Sequence, residues 1–343
     1  MSTLLAALTM IKDIKNILSK DYNNLNFDLS GWNTVLSASS YASVYHQISN
    51  VNYYSAYFRG DNISFVLIEN NKTVAVFPLF IYQDKDGWKI SSNGLGIVSP
   101  LFISNIPKKL RKRLENQLIE VILLISKKLK LRKIILFEHS PFISNWFLLW
   151  LKKVYKDFIT YQLAIDLDQS IENIKLDFRK SYKPLVNKAL RVWDVKVCEE
   201  NIDQVFEEFQ NLHFEAAGKI TRSKESWSIQ RKQVENKEAF LVTIRDDNLL
   251  IGAGLFNYSK YHGVYSVGAY KRELFDQPIG HAVQMKAIEK LKEIGCRRYN
   301  LGQKAIDIGE AIFSEKEKSI SYFKEGFAGY VYIQPHIQVC FDE

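Results

Sequence analysis

The segment QPIGHA, residues 277–282, has the residue types and spacing to hold a diphosphate. It joins a predicted strand to a predicted helix, where the small residues Gly280 and Ala282 would let backbone amides come close to phosphates. The amino end of the helix adds a partial positive charge. Pro278 has no N–H to donate, and Gly280 could instead serve only close packing of helix on strand. The residues predicted to contact the diphosphate are Gln277, Ile279, Gly280, His281 and Ala282.

Three side chains in the same half of the chain could transfer protons. Tyr322 lies in a predicted helix, four residues before Gly326, and its hydroxyl could donate a proton. His213 and Glu215 lie in a helical segment ahead of a loop, where either could reach an open cleft and accept a proton. The plainer alternatives stay open, because a buried Tyr is often a core aromatic and helical His and Glu are often surface groups.

A basic stripe is predicted on the segment FRKSYKPLVNKALR, residues 178–191. Its polar side chains recur every four residues and would share one helix face. Pro184 interrupts the pattern, because an interior proline kinks or ends a helix. The guanidinium of Arg suits phosphate, so the stripe could face a phosphorylated substrate, or it could be an ordinary solvated face. The residues predicted to bind substrate are Arg179, Lys183 and Arg191.

The elements that must position these residues follow one order in both halves of the chain: a hairpin, a strand, a helix, a strand, a helix and a strand. The first half has strands within 62–81 and at 88–92 and 96–102, a helix at 107–129, a strand at 132–138, a helix at 141–154 and a strand at 161–167. The second half begins with helices within 171–191 and a strand at 192–199. It continues with helices within 202–236, a hairpin at 239–259, a strand at 261–270, a helix at 279–294, a strand at 297–302, a helix at 314–326 and a strand at 330–341. The repeated order predicts an α/β, mixed α+β protein with two tandem lobes, each a mixed sheet flanked by helices.

Composition narrows the possible classes of protein. The 343 residues are 47% hydrophobic and 24% charged, which excludes a disordered chain. The longest apolar runs, at 121–125 and 146–151, are too short to cross a bilayer. The amino-terminal stretch is predicted to form an amphipathic helix rather than a signal peptide, so the expected location is the cytoplasm.

Charge and motif content exclude several chemistries. The net charge of +8 suits phosphorylated partners, but the aromatic residues have strand and core spacing, so no DNA-binding module is predicted. Cys198, Cys296 and Cys340 have no metal-ligand spacing, and no metal site is expected. The sequence also lacks a GxSxG elbow, a Walker loop and an HExxH motif.

With these motifs, the second half resembles the GNAT superfamily of acyltransferases. That superfamily has a Gln/Arg-x-x-Gly-x-Gly/Ala loop for CoA and a late helix with Tyr followed by Gly-Phe, matched here by 277–282 and by Tyr322 with Gly326-Phe327. Two such units in one chain make it more similar to the two-lobed FemAB-like and BioF2-like members. Further segments that carry the resemblance are 178–191, 212–219, 299–302 and 322–327.

The resemblance implies a lobe at 1–160 without a CoA loop and a lobe at 161–343 that binds acyl-CoA, with acetyl-CoA as the expected donor. It also implies that the acyl carbonyl lies near the backbone of Val267, Gly268 and Ala269, where GNAT strands diverge, and that Tyr322 protonates the departing thiolate. The expected reaction is N-acyl transfer to a primary amine of an envelope or surface-polysaccharide precursor, such as an amino sugar nucleotide. The alternatives are an aminoacyl-tRNA-dependent, FemAB-like peptidoglycan aminoacyltransferase and a non-catalytic acceptor-binding scaffold.

Overall fold

The computed structural model describes residues 2–140, 142–153, 156–309 and 311–341. Contacts divide the chain into two compact units, one of Met1–Ile159 with Gln334–Glu343 and one of Thr160–Ile333. The sequence assigned the whole stretch 161–343 to the second lobe, whereas the last ten residues group with the first unit. The reason is strand pairing, since His336 on the last strand lies opposite Phe137.

The first unit begins with helices and is otherwise rich in short strands. Its helices are α1 Ser2–Asp21, α2 Trp32–Ala38, α3 Ile48–Phe58, α4 Lys108–Leu129 and α5 Asn145–Leu151. Its strands are β1 Leu25–Asn26, β2 Asp61–Asn62, β3 Phe65–Glu69, β4 Lys72–Phe77, β5 Phe80–Asp84, β6 Gly87–Ser91, β7 Ile97–Val98, β8 Leu101–Phe102 and β9 Lys133–Phe137.

Turn chemistry and apolar spacing explain these elements. Asn70 and Asn71 adopt φ of 48° and 59° between β3 and β4, and Asn tolerates these left-handed angles, so the predicted hairpin forms. In α4 the buried residues Leu114, Leu118 and Ile122 recur every four positions, which directs one face of the helix into the core of the unit.

Two predicted elements of the first half differ in the structure. The single strand expected at 96–102 is two short strands, β7 and β8, separated at Ser99 and Pro100, because proline cannot donate to a strand ladder. The helix expected at 141–154 is the shorter α5, whose amino end is capped by the hydroxyl of Ser144. Pro141 and Val154 lie outside the described residues.

The second unit has a long sheet with helices on both faces. The chain passes into this unit within β10, Lys156–Asp166, and leaves it within β16, Tyr330–Cys340. Its other strands are β11 Asp194–Cys198, β12 Ala239–Asp246, β13 Leu249–Tyr258, β14 His262–Tyr270 and β15 Arg298–Gln303. Its helices are α6 Ile171–Asp177, α7 Tyr182–Val192, α8 Asp203–Ala217, α9 Lys224–Glu235, α10 Ile279–Ile294 and α11 Glu315–Glu325.

The strands of this sheet stand in the order β11-β12-β13-β14-β15-β10. All neighbours are antiparallel except β14 and β15, which are parallel. Strand alternation divides the core: Phe240 and Val242 pack on the side of α7 and α10, whereas Leu241 packs on the side of α8 and α9. Both faces are therefore covered by helices, as the predicted mixed α+β lobe requires.

The helical region ahead of β11 is broken, not continuous. Helix α6 ends at Asp177, and α7 begins at Tyr182, so Arg179 precedes the helix that was expected to carry it. Pro184 falls in the first turn of α7, where a missing N–H costs no hydrogen bond. The predicted stripe with four-residue spacing therefore begins at Lys183.

No helix within the described residues is long and apolar enough to cross a membrane.

Candidate active site

A gap opens between β14 and β15 in the second unit. The two strands pair only over His262–Val264 with Arg298–Asn300. Beyond that point, Leu163 and Ala164 of β10 lie opposite Gly302 and Asn300, which leaves Leu301 as an extra residue, a β-bulge. Gly302 has φ of 116°, a conformation that side chains rarely adopt. From Tyr265 onward, the outer edge of β14 thus has no partner strand among the described residues.

Three tyrosines lie on the two strands that border this gap. The hydroxyls of Tyr265 and Tyr270 lie 3.1 Å apart, and that of Tyr299 donates to Gln284 Oε1 at 2.6 Å. Burial raises the pKa of Tyr265 to about 12, so its hydroxyl stays protonated at neutral pH. A Cβ at Gly268 would lie 1.9 Å from the Tyr265 hydroxyl. Glycine at 268 is therefore what allows this hydroxyl to lie against the backbone of β14.

Lys324 of α11 places an amine beside the same gap. Its Nζ lies 5.3 Å from the centre of the Tyr265 ring and 2.9 Å from where a Cβ on Gly302 would stand. Burial lowers the pKa of Lys324 to about 8, because the charged form loses its hydration. Nζ has no hydrogen bond or ion pair among the described residues. Lys324 can therefore exist in both protonation states close to neutral pH.

Tyr322, the predicted proton donor, lies two residues away but on the opposite side of α11. Its side chain is 63% exposed, and the guanidinium of Arg179 stacks 3.7 Å from the centre of its ring. Residues separated by two positions do not share a helix face. The structure therefore directs Lys324, and not Tyr322, toward the gap between the strands.

Arg179 and Tyr182 bind the carboxyl end of α11. Arg179 donates to the carbonyl of Tyr322 at 3.0 Å and to the Tyr182 hydroxyl at 3.1 Å, and that hydroxyl donates to the carbonyl of Phe323 at 3.0 Å. A cation here also complements the negative end of the helix dipole. Arg179, expected to bind substrate, is thus engaged in holding α11.

Side chains of the expected diphosphate loop pack into the protein. Ile279 and Ala282 are buried in the core, with 2% and 0% exposure. A Cβ on Gly280 would stand 3.1 Å from the ring of Phe323, so this glycine makes room for the contact of α10 with α11. Pro278 caps α10 without an N–H or a side-chain hydrogen bond. The Gln277 amide oxygen accepts from Lys188 at 3.3 Å.

His281 is enclosed by aromatic rings and does not face an open loop. Its ring lies 4.4 Å from that of Tyr182, 5.2 Å from Phe323 and 5.7 Å from Phe327. Burial, aided by the charge of Arg179, lowers the pKa of His281 to about 4. It is a neutral packing residue at physiological pH.

The two candidate bases on α8 are not brought to the gap. His213 Nε2 accepts a hydrogen bond from Arg222 at 2.9 Å, and its ring packs edge-on against Trp227. Burial and then the charge of Arg222 lower the pKa of His213 to about 4. The hydrogen bond from Arg222 already engages the lone pair that would accept a proton. Glu215 is exposed on the last turns of the helix.

Of the three residues expected at the acyl carbonyl, Gly268 is the one with an open backbone. Val267 and Ala269 direct their side chains into the core under α8 and α9, whereas Gly268 is exposed and lies beside the Tyr265 hydroxyl. All three pair with β13 on the inner edge of β14. The expected position of the acyl carbonyl thus coincides with the gap.

The remaining basic residues, Lys183 and Arg191, form a basic surface on α7. Lys183, Asn187 and Arg191 line a shallow open depression together with Pro184 and Leu190. Arg191 donates to the Asn187 carbonyl of its own helix at 3.2 Å, and no acidic side chain among the described residues pairs with Lys183 or Arg191. Their positive charge stays available to a phosphorylated ligand.

No group of three or more His, Cys, Asp and Glu side chains within the described part of the chain is arranged to hold a metal ion.

Sequence reasoning missed Lys324 and Tyr265, because only the structure shows which face of α11 is buried. Ser321 is buried on α11, and its hydroxyl accepts from the Ala305 N–H at 2.9 Å. Position 324 is three residues further and shares that inward face. The position of Tyr265 beside the gap depends on where β15 leaves β14.

Comparison with known proteins gives fold-level matches. No family model matches the chain, and no curated protein matches it. FemX superposes with a TM-score of 0.64 at 13% identity, covering 91% of this chain and 96% of FemX. L-PGS from Bacillus licheniformis gives 0.59 at 12% identity, over 92% and 93% of the two chains. The carboxyl-terminal domain of a protein from Agrobacterium fabrum, assigned as a lysylphosphatidylglycerol synthetase, gives 0.57 at 9% identity, over 91% and 93%.

These neighbours correct the expected donor. N-acyl transfer from acetyl-CoA to an amino sugar nucleotide or similar precursor is wrong as the leading assignment, because the neighbours with TM-scores above 0.5 include FemX and lysylphosphatidylglycerol synthetase structures. These matches favour the alternative, a FemAB-like aminoacyltransferase, over the main expectation. At these identities the matches establish the fold. The resemblance in the sequence is confirmed, and the chain has the two-lobed GNAT-like fold that FemX also has.

Proposed function

We propose that this protein is an aminoacyltransferase that moves an aminoacyl group from aminoacyl-tRNA to a primary amine of a cell-envelope precursor. The observation that carries the proposal is the amine of Lys324 beside the gap between β14 and β15, within a fold shared with FemX. The name lysylphosphatidylglycerol synthetase also describes transfer of an amino acid to an envelope molecule.

The reaction requires two proton movements. The acceptor amine attacks the ester carbonyl that joins the amino acid to the ribose of tRNA, and a C–N bond forms while the ester C–O bond breaks. The attacking nitrogen loses a proton to water, and the leaving ribose oxygen needs one. With a pKa of about 8, Lys324 is mainly protonated at pH 7 and releases a proton readily, so it is our candidate donor to that oxygen.

Tyr265 is our candidate for stabilising the negative oxygen of the tetrahedral intermediate. Its hydroxyl stays protonated, lies beside the exposed backbone of Gly268, and is oriented by Tyr270. A preorganised donor of this kind acts where charge develops in the transition state. Tyr322, Val267 and Ala269 have no role in this scheme, and His213 and Glu215 are not needed as bases.

The basic surface on α7 is our candidate for contacting tRNA. Lys183 and Arg191 present positive charge without an acidic partner among the described residues, and the phosphate backbone supplies much of the affinity in such complexes. Aminoacyl-tRNA as the donor agrees with the expected cytoplasmic location. The acceptor that fits best is a nucleotide-linked or lipid-linked peptidoglycan precursor with a free side-chain amine.

The test is a transfer assay with the full chain and tRNA charged with radiolabelled amino acids. A muramyl peptide nucleotide with a free lysine amine serves as acceptor in one arm, and vesicles containing phosphatidylglycerol serve in another. We expect label in the peptide. Label in the lipid alone would overturn the amine acceptor, and no transfer in either arm would overturn the proposed function.

Two controls separate donor and mechanism. Labelled acetyl-CoA in place of charged tRNA should give no product. Lys324→Met should lower kcat by at least about a hundredfold, as removal of a proton donor does, whereas Lys316→Met, an exposed lysine on the same helix, should act like the parent. Equal kcat in the two variants would remove Lys324 from the mechanism.

A further inference from the structure

A separate polar cavity lies in the first unit, at the carboxyl ends of β7 and β9. These strands are parallel, with Ile97 opposite Leu136 and Val98 opposite Phe137. The cavity has a volume of about 170 Å³. Its walls include Ser99 after β7, Glu138 and His139 after β9, His46, and Arg111 of α4.

Glu138 supplies a buried carboxylate to this cavity, with 1% exposure. Its Oε2 accepts from the Ser144 N–H at 3.0 Å and from the Ser99 hydroxyl at 3.2 Å, and its Oε1 accepts from the Ser140 N–H at 3.2 Å. These donors stabilise and orient the ionised group. A carboxylate has about four acceptor sites, so one more donor can be accommodated.

Two histidines, His46 and His139, also line the cavity, and His46 adds no positive charge that would repel an ammonium. His46 Nε2 donates to the Ser99 carbonyl at 3.0 Å, while its Nδ1 accepts from Ser43. Burial lowers the pKa of His46 to about 3, so it is neutral. The ring of His139 packs 4.8 Å from that of His46, and its Nδ1 lies 3.9 Å from Glu138 Oε1.

Arg111 supplies a positive charge to the same cavity. Its Nε donates to the fully buried Glu115 at 2.9 Å, and its guanidinium lies 5.1 Å from the centre of the Phe102 ring. These contacts fix the plane of the group. Its two terminal nitrogens make no hydrogen bond among the described residues, so they can hold a carboxylate in the paired geometry that guanidinium favours.

We propose that this cavity binds the head group of an α-amino acid, with the ammonium on Glu138 and the carboxylate on Arg111. A buried anion and an oriented cation on one small cavity match the two charges of a zwitterion, whereas a ligand with a single charge would contact only one of them. The volume suits this size, since a cavity of about 150 Å³ holds benzene, and alanine has as many heavy atoms.

The mouth of the cavity allows a longer ligand. Tyr41 lines the cavity and is 56% exposed, and its ring packs edge-on at 6.2 Å against that of Phe142, which is 64% exposed. These rings can cover an aliphatic chain that leaves the cavity. The same head group could therefore belong to a free amino acid or to one joined to a larger molecule through its side chain.

Calorimetric titration of the full chain, without tRNA, tests the proposal. The probes are alanine, Nε-acetyl-lysine, ethylamine and propionate. We expect both amino acids to bind at least about tenfold more tightly than either singly charged probe, because a hydrogen bond to a charged group contributes about 1.5–3 kcal/mol. Tighter binding of Nε-acetyl-lysine than of alanine identifies a side-chain-linked ligand, and the reverse identifies a free amino acid. Binding of neither amino acid overturns the site.

Variants keep the test independent of folding and of the proposed transfer reaction. Arg111→Gln and Glu138→Gln should each weaken amino acid binding at least about tenfold. Arg113→Gln, which removes a surface ion pair of the same helix with Glu69 outside the cavity, should bind like the parent. If Glu138→Gln unfolds, amino acid binding by Arg111→Gln alone decides the test, since Arg111 is partly exposed. Unchanged binding in Arg111→Gln refutes the proposal. A protein that binds amino acids but transfers nothing retains this site and loses only the proposed function.

Discussion

Replacing Lys324 by Met should stabilise the fold while lowering kcat for transfer at least about a hundredfold. Met has similar length and no charge, so it fills the same space between α11 and the Tyr265 ring without the cost of burying an ammonium. A residue that lowers stability and is nevertheless present is expected where chemistry requires it.

The size of the effect follows from the pKa of Lys324. Burial lowers it from 10.5 to about 8, and at 1.36 kcal/mol per pH unit the difference corresponds to about 3 kcal/mol, an upper limit for the gain in free energy of unfolding. Below pH 8 the lysine is charged in both the folded and the unfolded protein, so the folded protein bears the full free-energy cost of burying the ammonium. Between about pH 8 and 10.5 the unfolded chain binds the extra proton, so the cost diminishes as pH rises.

Urea unfolding of the parent, Lys324→Met and Lys316→Met at pH 7, 9 and 10.5 measures how the gain in free energy of unfolding depends on pH. The Lys324→Met variant should exceed the parent in stability most at pH 7 and match it near pH 10.5, while the exposed Lys316 control should show no such trend. A difference that is constant with pH, or a loss of stability at pH 7, would refute the argument that the amine is desolvated.

Two further predictions concern packing and acid. A Cβ at Gly326 would stand 2.1 Å from the Tyr182 ring, so Gly326→Ala should lower the free energy of unfolding by about 1–3 kcal/mol. The double variant with Tyr182→Ala should lose less stability than the sum of the two single losses, because the clash is gone. Simple additivity would contradict the clash. Burial lowers the pKa of His281 from 6.5 to about 4, so the unfolded chain binds a proton at this residue before the folded protein does, and the free energy of unfolding should fall from pH 6.5 toward 4 by up to about 1.4 kcal/mol per pH unit. Urea unfolding should show a smaller dependence on pH in His281→Phe. An unchanged dependence would show that this histidine is protonated in the folded protein.

Local chemistry made much of the second unit predictable. Asp247 adopts φ of 49° in the turn between β12 and β13, and Gly295 adopts φ of 92° after α10, as the hairpin and helix end predicted at these positions require. Periodic apolar residues placed α10 at 279–294, the same range that the structure has. These features depend on residues a few positions apart, and so the sequence carries them.

The site depended on contacts between distant segments. The QPIGHA pattern is present, but only the folded chain shows that Phe323 of α11 packs beside Gly280. Arg179 lies near the expected stripe in sequence, but it binds a carbonyl 143 residues away.

The amino-acid sequence by itself determined the order of the elements, the mixed α+β class and the resemblance to a two-lobed GNAT fold. Only the tertiary structure decided that Lys324 faces the gap and Tyr322 faces solvent, because the side of α11 that is buried is set by Arg179 and Tyr182 at its end. It also decided that Gln334–Glu343 group with the first unit, because strand pairing of His336 with Phe137 joins residues nearly two hundred positions apart in the chain.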